Sequence, residues 1–174
     1  MKKIIGIYIV SIILTLIFSS FIAAVVRAEE KNEISTIKFS EIVPPEDVIT
    51  ISEELGKQYN ICPETIQAIC WKESRFQSDA ENVGCIGIMQ VSPKWHQDRM
   101  DKLGVTDLKD IRQNMTVAVD YLSELVRDEE DMEEALMRYH GESRIQEKLD
   151  AGEMSSYVES ILTLSAELEE RNGK

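Results

Sequence analysis

Residues 63–93 read PETIQAICWKESRFQSDAENVGCIGIMQVSP, and the parsing of the whole chain turns on this stretch. Pro63 directly after Cys62 suits the first turn of a helix, where its missing N–H costs nothing. Ile66, Ile69 and Cys70 follow at helical spacing, with Trp71 or Glu73 next on the inward side. The helix closes on Trp71-Lys72-Glu73-Ser74-Arg75-Phe76. Residues 77–87 carry Asp79, Asn82, Gly84 and Gly87 and read as loop. Ser92-Pro93 is an N-cap followed by an N1 proline, so a helix restarts there and runs to about Gly104.

The same periodicity continues outward. Upstream, Val48, Ile51, Leu55 and Tyr59 recur at three and four, giving a helix from Pro45 to about Tyr59. Downstream, Ala118, Tyr121, Leu122 and Leu125 mark a helix over residues 114–126, a further helix covers 132–139, and Tyr157, Ile161, Leu164 and Leu168 mark the last. No alternating run is long enough for a sheet strand. The expected body is all-α, five to seven helices around one core, over residues 45–170 with a short tail at 171–174. A body of roughly 125 residues buries about two-thirds of its surface, so one core suffices and a second domain is not required.

Charge divides the chain. Of 174 residues, 32 are acidic and 19 basic, and all the acids lie beyond Ala28. Residues 1–28 contain only Lys2, Lys3 and Arg27, so the rest carries twice as many acids as bases. A body that acidic has no basic stripe to neutralise phosphates, which excludes nucleic acid as a partner. Lys2 and Lys3 precede an uncharged apolar run over residues 4–26. That run is longer than the apolar part of a signal peptide and long enough to cross a bilayer, which favours an anchor. Val26-Arg27-Ala28 also offers small residues for signal peptidase, so cleavage after Ala28 stands as the alternative. Either way the body is expected outside the cytoplasm. Residues 29–44 read as a polar stem ending at Pro44-Pro45.

Three cysteines in an exported chain allow one disulfide. Cys62 before a helix start and Cys85 in a loop are the expected pair, closing a loop worth about 3 kcal/mol in the chain-entropy account; three reduced thiols are the alternative. The cysteine spacings with His96 and His140 do not make a zinc pattern, so no metal and no cofactor are expected.

The chemistry centres on Glu73. A carboxyl set among Trp71 and Phe76 at a helix end has its charged form disfavoured, which suits a general acid at neutral pH. Glu73-Ser74-Arg75-Phe76 with Ala80, Gly87-Ile88-Met89-Gln90-Val91 with Pro93, Asn114-Met115 with Tyr121-Leu122, Ala135-Leu136-Met137-Arg138-Tyr139, and Tyr157-Val158 resemble, in order and spacing, the successive motifs of the lytic transglycosylase (SLT) family. The resemblance covers about residues 48–164. It implies a lysozyme-like single globular domain behind the N-terminal segment. The implied activity is cleavage of the β-1,4 bond between N-acetylmuramic acid and N-acetylglucosamine in peptidoglycan, ending in a 1,6-anhydro ring.

The resemblance also implies roles. Glu73 is the acid that protonates the glycosidic oxygen and then, as carboxylate, the base. Ser74 hydrogen-bonds near that carboxylate and the substrate, or else bonds its own helix. Met89 is groove lining or core filler, and Gln90 gives an amide to the sugar. Tyr139 and Tyr157 stand in the cleft. His140 replaces the asparagine usual in the family and Glu142 adds charge beside it, so substrate contact at that end departs from the family pattern; Ser78 stands where proline is common. Asp79 and Glu81 keep a hydrolytic muramidase open as a second mechanism. A non-catalytic glycan-binding module and an accessory of an envelope-spanning secretion or conjugation apparatus are the other readings. Because the body and the cell wall are both acidic, affinity is expected from short-range contacts. Raising the ionic strength should therefore preserve or increase glycan cleavage; a steep loss would contradict this account.

Overall fold

The computed structural model describes residues 39–129 and 131–174. The expected membrane segment and most of the stem lie outside them. Among the described residues no helix is long and apolar enough to cross a membrane. Two units are distinguished: the described part of the first is a single 3-10 turn, Phe39–Glu41, closed by the Ile42 N–H on the Phe39 carbonyl at 3.1 Å.

The second unit, Val43–Lys174, has seven α-helices among its described residues: α1 Glu46–Tyr59, α2 Pro63–Ser74, α3 Pro93–Leu103, α4 Ile111–Glu129, α5 Met132–Tyr139, α6 Ile145–Ala151 and α7 Ser156–Arg171. The central element is α2. Ile66, Ala68, Ile69 and Cys70 are fully enclosed, and the polar Glu64, Thr65 and Gln67 are buried with them. A helix buried nearly all round must have neighbours on several sides. α2 packs most extensively on α7 and on α1, while α4 packs on α1, α3 and α5. Gly56 permits the tight α1–α2 connection, since a Cβ there would stand 2.6 Å from the Ile61 carbonyl oxygen.

Buried polar groups on α2 are each answered by a neighbour. Gln67 donates to Ser52 of α1 at 2.8 Å, and the Thr65 and Ser165 hydroxyls meet at 3.0 Å. Glu64 accepts from Lys174 Nζ at 2.7 Å, Asn172 Nδ2 at 2.8 Å and Cys62 Sγ at 3.1 Å. Burial alone would raise the Glu64 carboxyl, but these hydrogen bonds outweigh it and hold the group at about 2.

The helical expectation holds, with three differences in detail. α4 begins at Ile111, and α6 is an additional helix of 7 residues, too short for periodicity to reveal. Residues expected as plain loop include a hairpin, β1 Glu81–Asn82 and β2 Cys85–Ile86, antiparallel with Asn82 opposite Cys85. Its two-residue turn puts Val83 at φ 48° and Gly84 at φ 82°, the positive dihedrals that match hairpin twist. The expected Cys62–Cys85 bond is absent, and all three cysteines are free thiols. The reason is distance. Cys62 caps the N-terminus of α2, whereas Cys85 lies beside Glu73 at its C-terminal end. Twelve helical residues separate those ends by about 18 Å, and a disulfide requires Cα atoms within about 7 Å.

The Glu64 cluster generates a stability prediction. A carboxyl held below its unfolded value stabilises the fold above the unfolded pKa, and that contribution is lost as pH falls through the folded one. Glu64→Gln should cost about 2 kcal/mol at pH 7 and flatten the loss that the unmodified protein undergoes between about pH 4.5 and 2. Denaturant unfolding across that range measures both, and an unchanged pH dependence would sink the idea.

Candidate active site

Between the hairpin, α3, α4 and the C-terminal end of α5 lies a groove of about 920 Å³ with Glu73 in its wall. The sequence places Glu73 there by ending α2 abruptly: Arg75 and Phe76 both adopt positive φ, at 58° and 65°. The Arg75 N–H closes on the Trp71 carbonyl at 2.9 Å. The Arg75 guanidinium lies 4.4 Å from the Trp71 ring centroid, and the Trp71 and Phe76 rings stand 5.6 Å apart. These contacts fix the last turn that carries Glu73.

Glu73 Oε1 accepts a hydrogen bond from the Tyr157 hydroxyl at 2.5 Å. Tyr157 comes from α7 and is itself held by the His140 imidazole, stacked on its ring at 3.9 Å and 13°. Burial pushes the Glu73 carboxyl above the usual range, against the opposing pull of the Tyr157 hydrogen bond and of the His140 and Lys72 charges. Burial, and then the negative charge of Glu73, push the Tyr157 hydroxyl well above its ordinary value, so it stays a donor. With Oε1 occupied as an acceptor, a proton on this carboxyl belongs on Oε2. That is the arrangement of a general acid with a single transferable proton.

The loop opposite Glu73 hangs on one buried amide. Asn114, fully enclosed on α4, donates to the carbonyls of Ile86 at 2.8 Å and Leu108 at 2.9 Å, and accepts from the Met89 N–H at 2.9 Å. Gly87 is obligatory beside it: a Cβ there would stand 2.2 Å from Asn114 Nδ2, and its φ is 81°. The sequence reading assigns Asn114 no role, because three hydrogen bonds to one side chain leave no pattern in the sequence.

The expected site residues divide into two layers. Glu73, Gln90, Tyr139 and His140 line the groove. Ser74, Met89 and Tyr157 are buried and absent from the lining, the placement that the packing alternative for each describes. The Ser74 hydroxyl lies 2.8 Å from the Ile88 carbonyl and 3.2 Å from that of Cys70, so it ties the loop to the helix. Met89 is core filler, and its carbonyl accepts from the Tyr139 hydroxyl at 2.8 Å. Gln90 also differs from expectation. Its amide nitrogen is committed to the carbonyls of Gly87 at 2.8 Å and Ala80 at 3.2 Å, which leaves its carbonyl oxygen to face a ligand. The charge of Glu142 is compensated by Lys148. Neither Asp79 nor Glu81 lines the groove, and Glu81 pairs with Lys109 at 2.6 Å.

Farther along the groove the lining becomes aromatic. His96 and Tyr121 rings lie 4.6 Å apart and Tyr121 and Tyr139 5.9 Å apart. Arg99 stands 5.3 Å from the Tyr121 centroid and is tied to Asp120 and Glu124. Apart from Tyr139, the sequence assigns no role to this wall, whose members come from three helices and meet only in the fold.

The transglycosylase SLT domain family matches residues 50–156. No curated protein matches the chain. Among solved structures, an inactive mutant of the lytic transglycosylase Slt from Pseudomonas aeruginosa superposes with a TM-score of 0.60 at 20% identity, over 71% of this chain. This chain corresponds to 24% of that one, about a quarter of its length.

The Glu73–Tyr157 contact can be tested directly. Tyr157→Phe removes a donor that favours the carboxylate, so the Glu73 pKa, already raised, should rise further. A carboxyl-carbon NMR titration of both proteins reads the change, and a fall or no movement would contradict the hydrogen bond.

Proposed function

The chain belongs to the transglycosylase SLT family, and from that premise we propose that it is an exported peptidoglycan lytic transglycosylase. The observation that carries the reading is Glu73: one half-buried carboxyl in a groove wall, pushed above its usual range and held on one oxygen by Tyr157. In the proposed reaction its Oε2 proton passes to the glycosidic oxygen between N-acetylmuramic acid and N-acetylglucosamine, and the bond from that oxygen to the muramic C1 breaks. The sugar's own 2-acetamido oxygen stabilises C1. The Glu73 carboxylate, now accepting from Tyr157, takes the proton of the 6-hydroxyl as that oxygen closes on C1. The carboxyl is regenerated, water is not consumed, and the product is a 1,6-anhydro ring.

One group serving as acid and then base is sufficient when the substrate supplies both nucleophiles. Hydrolysis through a paired carboxylate would require a second acid near Glu73. Asp79 and Glu81 do not line the groove; of the carboxylates that do, Asp120 and Glu124 are tied to Arg99, and Asp98 stands with Arg99 on α3 rather than on α2 beside Glu73. This favours the anhydro route over hydrolysis. The apolar run over residues 4–26 supports delivery across a membrane, with the domain facing the cell wall.

Digestion of purified sacculi followed by mass spectrometry tests the proposal. Anhydro-muropeptides are expected. Reducing-end muramic acid would replace the reaction with hydrolysis, and no soluble product would remove both. Glu73→Gln should lower release by at least about a thousandfold with little change in thermal stability, and undiminished release would overturn the acid assignment.

A further inference from the structure

Four large apolar side chains among the described residues are strongly exposed: Val43, Val83, Trp95 and Met154. Two of them, Val83 at 97% and Trp95 at 74%, line the groove that holds Glu73, and they come from separate elements, the hairpin tip and the first turn of α3. Scattered apolar residues on a surface need no explanation, but two converging on one groove do.

Val83 is also in the wrong conformation for its type. At φ 48° a β-branched residue is strained, and the hairpin turn that imposes this dihedral is served best by asparagine, aspartate or glycine. With nothing packed against it, folding does not require valine here. Trp95 is fixed differently: Pro93 stiffens the helix start, and the Lys94 ammonium stands 4.8 Å from the indole centroid, leaving the ring accessible.

We infer that Val83 and Trp95 form an apolar rim subsite for one saccharide of the glycan strand, the indole taking the C–H face of the pyranose and the valine the methyl of an N-acetyl group. The inference rests on the glycan reading above and extends it to residues outside the catalytic machinery. The chemistry matches the groove. N-acetylglucosamine is uncharged, N-acetylmuramic acid carries its charge only on the lactyl group away from the pyranose face and the N-acetyl methyl, and Arg99 is already paired with Asp120 and Glu124. What Val83 and Trp95 themselves offer is exposed apolar and aromatic surface, which suits the C–H face of a sugar ring and a methyl group.

Binding of peptide-free glycan strands to the full-length Glu73→Gln protein, measured by calorimetry, tests the rim without turnover. Adding Trp95→Ala should weaken binding about tenfold, and Trp95→Phe less. Adding Val83→Gly should weaken it about threefold while raising the melting temperature, because glycine relieves the strained dihedral. Unchanged binding in the Trp95→Ala and Val83→Gly proteins overturns the rim. So does a loss seen only with peptide-bearing strands, which would assign the surface to the stem peptide, or no binding by the Glu73→Gln protein itself. Failure of the catalytic reading is seen elsewhere. If the unmodified protein releases no muropeptides but glycan binding still depends on Trp95, the subsite stands and the chemistry falls.

Discussion

The Glu73 carboxyl occupies the last turn of α2, at the negative end of the helix dipole, and it is half-buried there. Both placements disfavour its charge; the dipole contributes about 0.3–1 kcal/mol, and burial adds to it. A carboxyl so placed is a poorer base the more its anion is disfavoured, so a group that stabilises the anion matters. The Tyr157 hydroxyl does this from α7, 84 positions along the chain. The α2–α7 packing therefore sets the acid–base balance of the site. It explains why so many polar groups along that interface are satisfied in pairs: Thr65 with Ser165, Lys72 with Ser160 at 3.0 Å, and Glu64 with Asn172 and Lys174. Sliding α7 by even a fraction of a turn would break several of these together.

The opposite side of the groove obeys a different constraint. Of the six non-glycine residues with positive φ among the described residues, four (Arg75, Phe76, Val83 and Gln90) fall in the segment between α2 and α3. Each costs about 1 kcal/mol or more, so the segment persists only because other contacts specify it. Asn114 supplies three of these, the Ile86–Val91 bridge two more at 2.9 Å each, and the Ser74 and Gln90 side chains the remainder. The segment is thus held rigidly against α2 although it has almost no regular structure of its own.

This explains what the sequence made legible. Helix periodicity identified the elements because apolar burial repeats with the helix. Glu73, Tyr139 and His140 line the groove because each stands where a helix ends. Ser74, Met89 and Tyr157 were assigned to the cleft but lie behind it, since a motif specifies neighbourhood and leaves the direction of a side chain open. Cys62 and Cys85 were paired from their local settings, and only the length of α2 reveals that its two ends keep them apart. The α3–α4 wall of His96, Arg99 and Tyr121 has no linear signature, as its members approach only when the two helices pack.

The acidic composition first suggests an electrostatic handicap toward an anionic wall, but the groove does not inherit it. Arg99 is paired with Asp120 and Glu124, and Lys148 with Glu142. Paired charges cast little field beyond a Debye length, so a neutral sugar entering the groove meets neither strong attraction nor repulsion. The exception is Glu73, whose elevated pKa reduces its charge. The burial that would prepare Glu73 as a proton donor in the proposed reaction also disfavours a negative charge where an acidic polymer would enter, so one physical cause serves both the chemistry and the approach.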